Sequence, residues 1–267
     1  MGIISSNTLF HFTRSKDNLL GILRNNFYPQ LCYENFYGTI FNSPQGAVGF
    51  EKAVPMVCFC DLPLSQIENH TKTYGEYALG LTKEWAVKSK VNPVVYTYPG
   101  SDFSEILKNL FANFPPVPKT QKENPLQLDT NDYSNQLTSA IQYVKPYEGK
   151  LWKNGQYTDT TVRYYDEREW RFIPRLYDKL PNPIMLRIGG EEERKAFDKI
   201  NKDMRSLDGL KLKFEPKDIK YIIVKSESEI LSVLDEIIKI KRDNFSYSDV
   251  QVLTTRITSL EAIAENF

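Results

Sequence analysis

Two glutamates, Glu167 and Glu169, stand two residues apart in the run Tyr164-Tyr165-Asp166-Glu167-Arg168-Glu169-Trp170-Arg171-Phe172. The run is aromatic-rich and follows Thr160, Thr161 and Val162, a composition that predicts a β-strand. Alternation along a strand puts Glu167, Glu169 and Arg171 on one face and Arg168, Trp170 and Phe172 on the other. Neighbouring carboxylates repel, so such a pair needs solvent, a cation, or a role in which one of the two resists ionisation. A solvated strand face with Arg171 as a surface ion partner satisfies the pattern. So does a site that stabilises positive charge or moves a proton.

Other groups with chemical potential are few. The chain has two histidines, His11 and His70. His11 sits in Leu9-Phe10-His11-Phe12-Thr13, where Leu9 and Thr13 share its face and Phe10 and Phe12 point away. A hydrogen-bonded core imidazole and a ligand contact both fit that position, because a buried ring needs partners for its nitrogens. Cys58 and Cys60 share a strand face upstream of His70, but Cys-x-Cys lacks the usual zinc-knuckle spacing. Small buried cysteines are the ordinary reading, and a cysteine- or metal-dependent nuclease is a remaining alternative. The chain carries no G-x-x-x-x-G-K-[ST] loop and no strand-linked G-x-G-x-x-G, which argues against Walker-type and dinucleotide-fold chemistry. Trp85, Trp152 and Trp170 fit core packing or base stacking.

The elements that must position these groups can be read from periodicity. Strands are expected at Leu9–Thr13, Val54–Cys60, Tyr77–Leu81, Val94–Tyr98, Pro183–Ile188, Lys220–Val224 and Val250–Ile257. Helices are expected after Ser15, from Asp61 and Pro63 onward, and from Thr82 to Val87. Further helices are expected at Asp102–Phe111, around Gln136–Val144, at Glu191 to about Met204, at Ser226–Lys241 and at the C-terminus. Residues 28–53 read as an ordered but irregular connection. Many short strands with unevenly inserted helices point to an α+β fold. Pro115, Pro116, Pro118 and Pro125 make 113–132 a flexible insertion within a single domain over 1–267.

Composition sets outer bounds. Of 267 residues, 41% are hydrophobic and 13% aromatic, enough for a core and against wholesale disorder. Lys plus Arg and Asp plus Glu both number 34, so no global charge draws the chain to nucleic acid or membrane. Three cysteines make no disulfide framework. Without an apolar run of membrane-spanning length or a signal-peptide core, the expectation is a cytoplasmic protein with no membrane partner. Met1-Gly2-Ile3-Ile4-Ser5-Ser6 formally fits a myristoylation pattern.

Leu9-Phe10-His11-Phe12-Thr13 with the helix that follows resembles the opening strand and helix of ADP-ribosyltransferase-type proteins. The block Val54-Pro55-Met56-Val57-Cys58-Phe59-Cys60-Asp61-Leu62-Pro63-Leu64-Ser65, then His70, Tyr74-Gly75 and Leu79-Gly80-Leu81-Thr82-Lys83-Glu84-Trp85, more closely resembles the abortive phage-infection family AbiGi. That second resemblance covers most of the chain. The first implies an ADP-ribosyltransferase-like split antiparallel or mixed sheet with flanking helices, clamping NAD as substrate. By it, His11 would contact the NAD ribose and the Phe12 backbone the nicotinamide amide. Thr13 and Arg14 would lie by the adenosine or diphosphate, and Tyr74 or Tyr77 would stack on nicotinamide. Glu169 would be the catalytic glutamate and Glu167 its partner, activating or orienting the incoming nucleophile. Where such proteins carry Tyr or Ser-Thr-Ser on the middle strand, this chain carries Cys58-Phe59-Cys60. The implied function is transfer of ADP-ribose in phage defence to a protein or nucleic-acid acceptor. The AbiGi resemblance also implies the alternative of a non-catalytic antitoxin or regulatory subunit with a toxin partner.

Overall fold

The computed structural model describes residues 6–36, 51–113, 133–153, 156–174, 191–241 and 245–266. The expected insertion (beyond Asn113) and the expected strand at Pro183–Ile188 lie outside the described residues. The described residues form an α+β fold around an eight-stranded mixed sheet. Its strands are β1 (Thr8–Thr13), β2 (Gln30–Asn35), β3 (Glu51–Cys60), β4 (Tyr77–Thr82), β5 (Asn92–Pro93), β10 (Glu169–Phe172), β11 (Ile219–Val224) and β12 (Ile257–Ser259). The order across the sheet is β12-β11-β4-β1-β3-β10-β5, with β2 added on β3. The β11–β12 pair is parallel, and the other pairs in this sheet are antiparallel. Two ribbons stand apart: β6 (Val95–Thr97) parallel to β7 (Val144–Pro146), and the hairpin β8 (Gly149–Lys153) with β9 (Gln156–Val162).

Both faces of the central strands are covered, which is why β3 and β4 read as nearly continuous apolar runs. One face carries Leu9, Val57, Phe59, Leu79 and Leu81. It packs under Leu19, Leu20 and Leu23 of α1 (Lys16–Asn25), Trp85 and Ala86 of α3 (Lys83–Lys88), and Val233 and Ile237 of α7 (Ile230–Lys241). The other carries Phe10, Phe12, Cys60, Ala78 and Ile223, against Leu62, Ile67 and Ile263 of α9 (Leu260–Asn266). Full burial of each leucine or phenylalanine contributes about 1.5–3 kcal/mol. Side-chain caps fix several helix starts: Ser15 accepts from the Asn18 amide and Thr82 from the Trp85 amide.

The central sheet is not evenly zipped. β1 pairs with β4 along its length, from Thr8 opposite Thr82 to Thr13 opposite Tyr77. It meets β3 at a single register position, Phe10 opposite Cys60. Beyond that point the two strands diverge and a cleft opens between them.

The structure corrects several sequence expectations. Tyr164–Phe172 is not one strand. Tyr164–Glu167 form a 3-10 turn, Arg168 takes a left-handed conformation at φ 45°, and only Glu169–Phe172 are extended. The turn is held by Tyr164, whose hydroxyl donates to the Lys150 carbonyl at 2.7 Å, and by the local Arg163–Asp166 pair. Val250–Ile257 is mostly helical: α8 (Tyr247–Thr254) is capped by Ser246 and buries Val250 and Leu253 three residues apart, and β12 follows. The irregular stretch 28–53 contains β2 and the start of β3. The helix expected to reach Val144 ends at Ile141 (α5, Tyr133–Ile141), and Val144–Pro146 become β7. Asp61 and Pro63 lead first into a 3-10 turn at Leu64–Gln66 and then into α2 (Glu68–Tyr74).

Gly75 closes α2 at φ +124°, and a Cβ built there would lie 2.2 Å from the Thr13 carbonyl oxygen. The end of β1 therefore leans directly on this residue. A Gly75→Ala change should cost about 3 kcal/mol, because neither the dihedral nor the contact accepts a methyl group. Chemical denaturation would measure the loss; unchanged stability would show that this turn relaxes without strain.

Candidate functional site

The cleft encloses about 1400 Å³ and is lined by His11, Phe12, Thr13, Arg14, His70, Tyr74, Lys145, Glu167 and Glu169 among others. Seven of the sequence-nominated residues thus share one cavity. Tyr77 is the exception. Its register opposite Thr13 turns it toward the α1–α7 side of the sheet, where its hydroxyl donates to Glu229 at 3.0 Å. It is not among the lining residues.

Glu169 enters the cleft at the first residue of β10, opposite Cys60. Its backbone amide donates to the Tyr96 hydroxyl at 2.7 Å, which fixes where the strand begins. The carboxylate is 6% exposed and takes Arg171 Nε on Oε1 at 2.8 Å and Lys145 Nζ on Oε2 at 2.6 Å. Burial alone would raise the Glu169 carboxyl, but Arg171 and Lys145 outweigh it and hold the group well below the usual carboxylate range. Arg171 is fully buried and also binds Glu34 at 3.0 Å and the Gln142 carbonyl at 2.7 Å. Burial pushes the Glu34 carboxyl up, opposed by Arg171 and Lys145. A solvated strand face is therefore the wrong description of this pair.

Glu167 reaches the same place by a different route, from the 3-10 turn rather than from the strand. Its Oε1 accepts from the Tyr74 hydroxyl at 2.5 Å and its Oε2 from Lys145 at 2.6 Å. Arg171, expected to compensate both glutamates, pairs with Glu169 and Glu34, and Lys145 serves both Glu167 and Glu169. Lys145 also lies 4.7 Å over the Tyr164 ring. Burial opposes its charge, yet Glu167 and Glu169 raise its pKa well above the usual lysine range. Lys145 and Glu34 escape the sequence reading because a helix end and an irregular connection are expected where β7 and β2 stand. Tyr96 lies in an expected strand, but nothing local marks its hydroxyl as a partner of Glu169.

His11 is held differently. Its Nδ1 lies 2.8 Å from the Cys58 carbonyl, and its ring meets Phe27 and Phe59 edge-on at 5.0 and 5.7 Å. A carbonyl only accepts, so Nδ1 carries the proton and Nε2 remains an acceptor. Opposite pairing of His11 with Leu79, and of Glu169 with Cys60 and Phe10, puts their side chains on opposite sides of the sheet. Because the sheet parts between β1 and β3, both still line the one cleft. Phe12, His70 and Tyr74 make an aromatic wall, with the His70 ring tilted against Tyr74 at 4.4 Å and edge-on to Phe12 at 5.0 Å.

The cysteines offer little nucleophilic chemistry. The Cys58 thiol is pushed well up, first by its hydrogen bond with Cys32 and then by burial, and burial pushes Cys60 up as well. Among the described residues, no group of three or more His, Cys, Asp or Glu is placed to hold a metal ion. Among them too, no helix is long and apolar enough to cross a membrane.

Residues 25–225 match the family model described as "Putative abortive phage resistance protein AbiGi, antitoxin". A relative from Lactococcus lactis subsp. cremoris, "Abortive phage resistance protein AbiGi", is 28% identical over 231 residues, covering 80% of this chain and 89% of the relative. No solved structure matches the chain.

The two imidazoles give the site a pH signature. Burial lowers the pKa of His11, against the bond to Cys58, and lowers that of His70 from 6.5 to about 4. Between those two values the unfolded chain binds protons that the folded chain refuses, so stability should fall as pH drops from 6.5 toward 4. The Glu169 contribution is present above the ordinary carboxylate range and is lost at still lower pH, while Glu34 acts in the opposite sense. Thermal melts across that range should show the decline, with a shallower slope in His70→Gln. A flat melting profile would show that the folded protein protonates its imidazoles freely.

Proposed function

The chain belongs to the AbiGi family of abortive phage resistance proteins, and from that premise we propose that it acts in phage defence through an ADP-ribosyltransferase-like cleft that cleaves NAD. The observation that carries this reading is the divergence of β1 from β3. It opens a cavity lined by His11, Phe12, Thr13, Arg14, Tyr74, Glu167 and Glu169 at the place where a split sheet would clamp the dinucleotide.

Each residue has a role consistent with its geometry. Loss of nicotinamide leaves positive charge on the ribose carbon and its ring oxygen, and a fixed carboxylate beside that carbon lowers the barrier. Glu169 is ionised, buried and held by two cations where it lines the cleft. His11, protonated on Nδ1, presents Nε2 as an acceptor for a ribose hydroxyl. On this reading the Phe12 backbone would hold the amide, and Thr13 and Arg14, at and just after the end of β1, would face the phosphates. Tyr74 with His70 offers a stacking surface for the planar nicotinamide ring. The nicotinamide leaves with the bonding pair, and the acceptor nucleophile, on a protein or a nucleic acid, takes its place and loses a proton.

A second reading has its own observation. Glu169 is compensated by two cations, Lys145 and Arg171, and the family description carries the word antitoxin. On that reading the cleft is a retained fold feature, and the chain restrains a toxin partner without turning over NAD.

Purified protein incubated with NAD should release nicotinamide, and Glu169→Gln should reduce that release by about 100-fold or more while circular dichroism stays unchanged. Wild-type protein that releases none, and that protects cells against phage equally well with Glu169→Gln, would pass the assignment to the antitoxin reading.

A further inference from the structure

Glu167 and Glu169 are brought together less by their spacing than by a lysine from another element. Lys145 lies on β7 directly opposite Tyr96 of β6. From these paired positions the ribbon grips the first residue of β10 twice, Tyr96 through the Glu169 backbone amide and Lys145 through its carboxylate. The same ammonium binds Glu167, whose other oxygen is taken by Tyr74. Both oxygens of Glu167 are thus engaged by donors. Its geometry suits an anchor for Lys145 better than a base for an incoming acceptor.

We propose that Lys145 is the positioning residue of the cleft: its ammonium, braced by Glu167 and Tyr74, fixes the carboxylate of Glu169 in place and sustains its charge. The proposal rests on the NAD-cleaving reading of the same cleft, but its physical core can be tested without turnover. The groups around the pair come from every neighbouring element. Arg171 of β10 and Glu34 of β2 flank Glu169 on one side. Cys58 and Cys60 of β3 lie alongside, opposite Arg171 and Glu169. His70 and Tyr74 of α2 and the Tyr164 ring face the carboxylates and Lys145, and Tyr96 holds the strand start. Of these, Arg171 is the second cation on Glu169, so among the described residues loss of Lys145 leaves Glu169 with Arg171 alone and removes the ion pair recorded for Glu167.

Two variants separate charge from packing. Lys145→Gln keeps a donor and removes the charge, and Lys145→Arg restores it. In Lys145→Gln the acid limb of the pH profile for nicotinamide release should move up by about one unit, with the KM for NAD little changed, and Lys145→Arg should bring it back. In parallel, carbon-13 carboxyl NMR of glutamate-labelled protein, with the Glu169 signal assigned from Glu169→Gln, should show its titration midpoint rising in Lys145→Gln and returning in Lys145→Arg. An acid limb and a midpoint that both stay put in Lys145→Gln would overturn the proposal. If wild type releases no nicotinamide, the catalytic reading fails on its own. The NMR midpoint then decides for Lys145: movement supports its hold on Glu169, and no movement overturns it.

Discussion

The burial of Arg171 is the constraint on which the site depends. A guanidinium removed from water costs several kcal/mol unless its donors are satisfied and its charge is matched. Arg171 is fully buried and meets this demand with Glu169, Glu34 and the Gln142 carbonyl. These partners come from β10 itself, from β2 and from the turn between α5 and β7. One side chain thus ties together the strand that carries the candidate catalytic carboxylate, the edge strand beside the cleft and the entry to the ribbon that delivers Lys145. Truncating such a group would leave its carboxylates buried and uncompensated, which is the expensive failure, rather than merely removing an attraction.

The second constraint is where the sheet stops zipping. β1 is fully paired to β4 but touches β3 at one register position. A strand that leaves its neighbour must satisfy its polar groups elsewhere. Here a side chain helps, since His11 reaches across the gap to the Cys58 carbonyl. Gly75 keeps the far end of β1 from drifting, because the α2 terminus presses on the Thr13 carbonyl. The imidazole spans the gap and the glycine allows the close approach at the end of β1, so residues at the cleft also take part in its shape.

Much of the frame was legible in the sequence because its signals are local. The apolar-aromatic run Leu9–Thr13, the near-continuous apolar run Val54–Cys60 and the helical turn from Thr82 each report their own element, and each element is found within a few residues of its expected place. His11 and the Glu167–Glu169 pair stand out for the same reason, whereas Phe12, Thr13, Arg14 and Tyr74 are nominated by the family resemblance. What failed was non-local. Tyr164–Glu167 look like a strand by composition, but a buried tyrosine and a left-handed Arg168 bend them into a turn. Val250 and Leu253 are spaced for a helix, yet β-branched neighbours suggested a strand. Lys145 looked like one more lysine near a helix end, and nothing nearby in the chain signals that Glu167 and Glu169, 22 and 24 residues on, will close around it.

The compensation of Glu169 by two cations invites the objection that a neutralised carboxylate cannot stabilise a ribosyl cation. The bookkeeping of the whole cluster answers it. Among the described residues, Glu34, Glu167 and Glu169 share the two cations Lys145 and Arg171, so neither cation belongs to Glu169 alone. A lone carboxylate in this buried position would take up a proton, since burial raises its pKa. The cations are what allow Glu169 to remain charged without water. On the NAD-cleaving reading, that retained charge would face the ribosyl cation in a setting organised in advance. Compensation is therefore the condition under which a carboxylate can be buried and stay charged, and it is compatible with the NAD-cleaving reading.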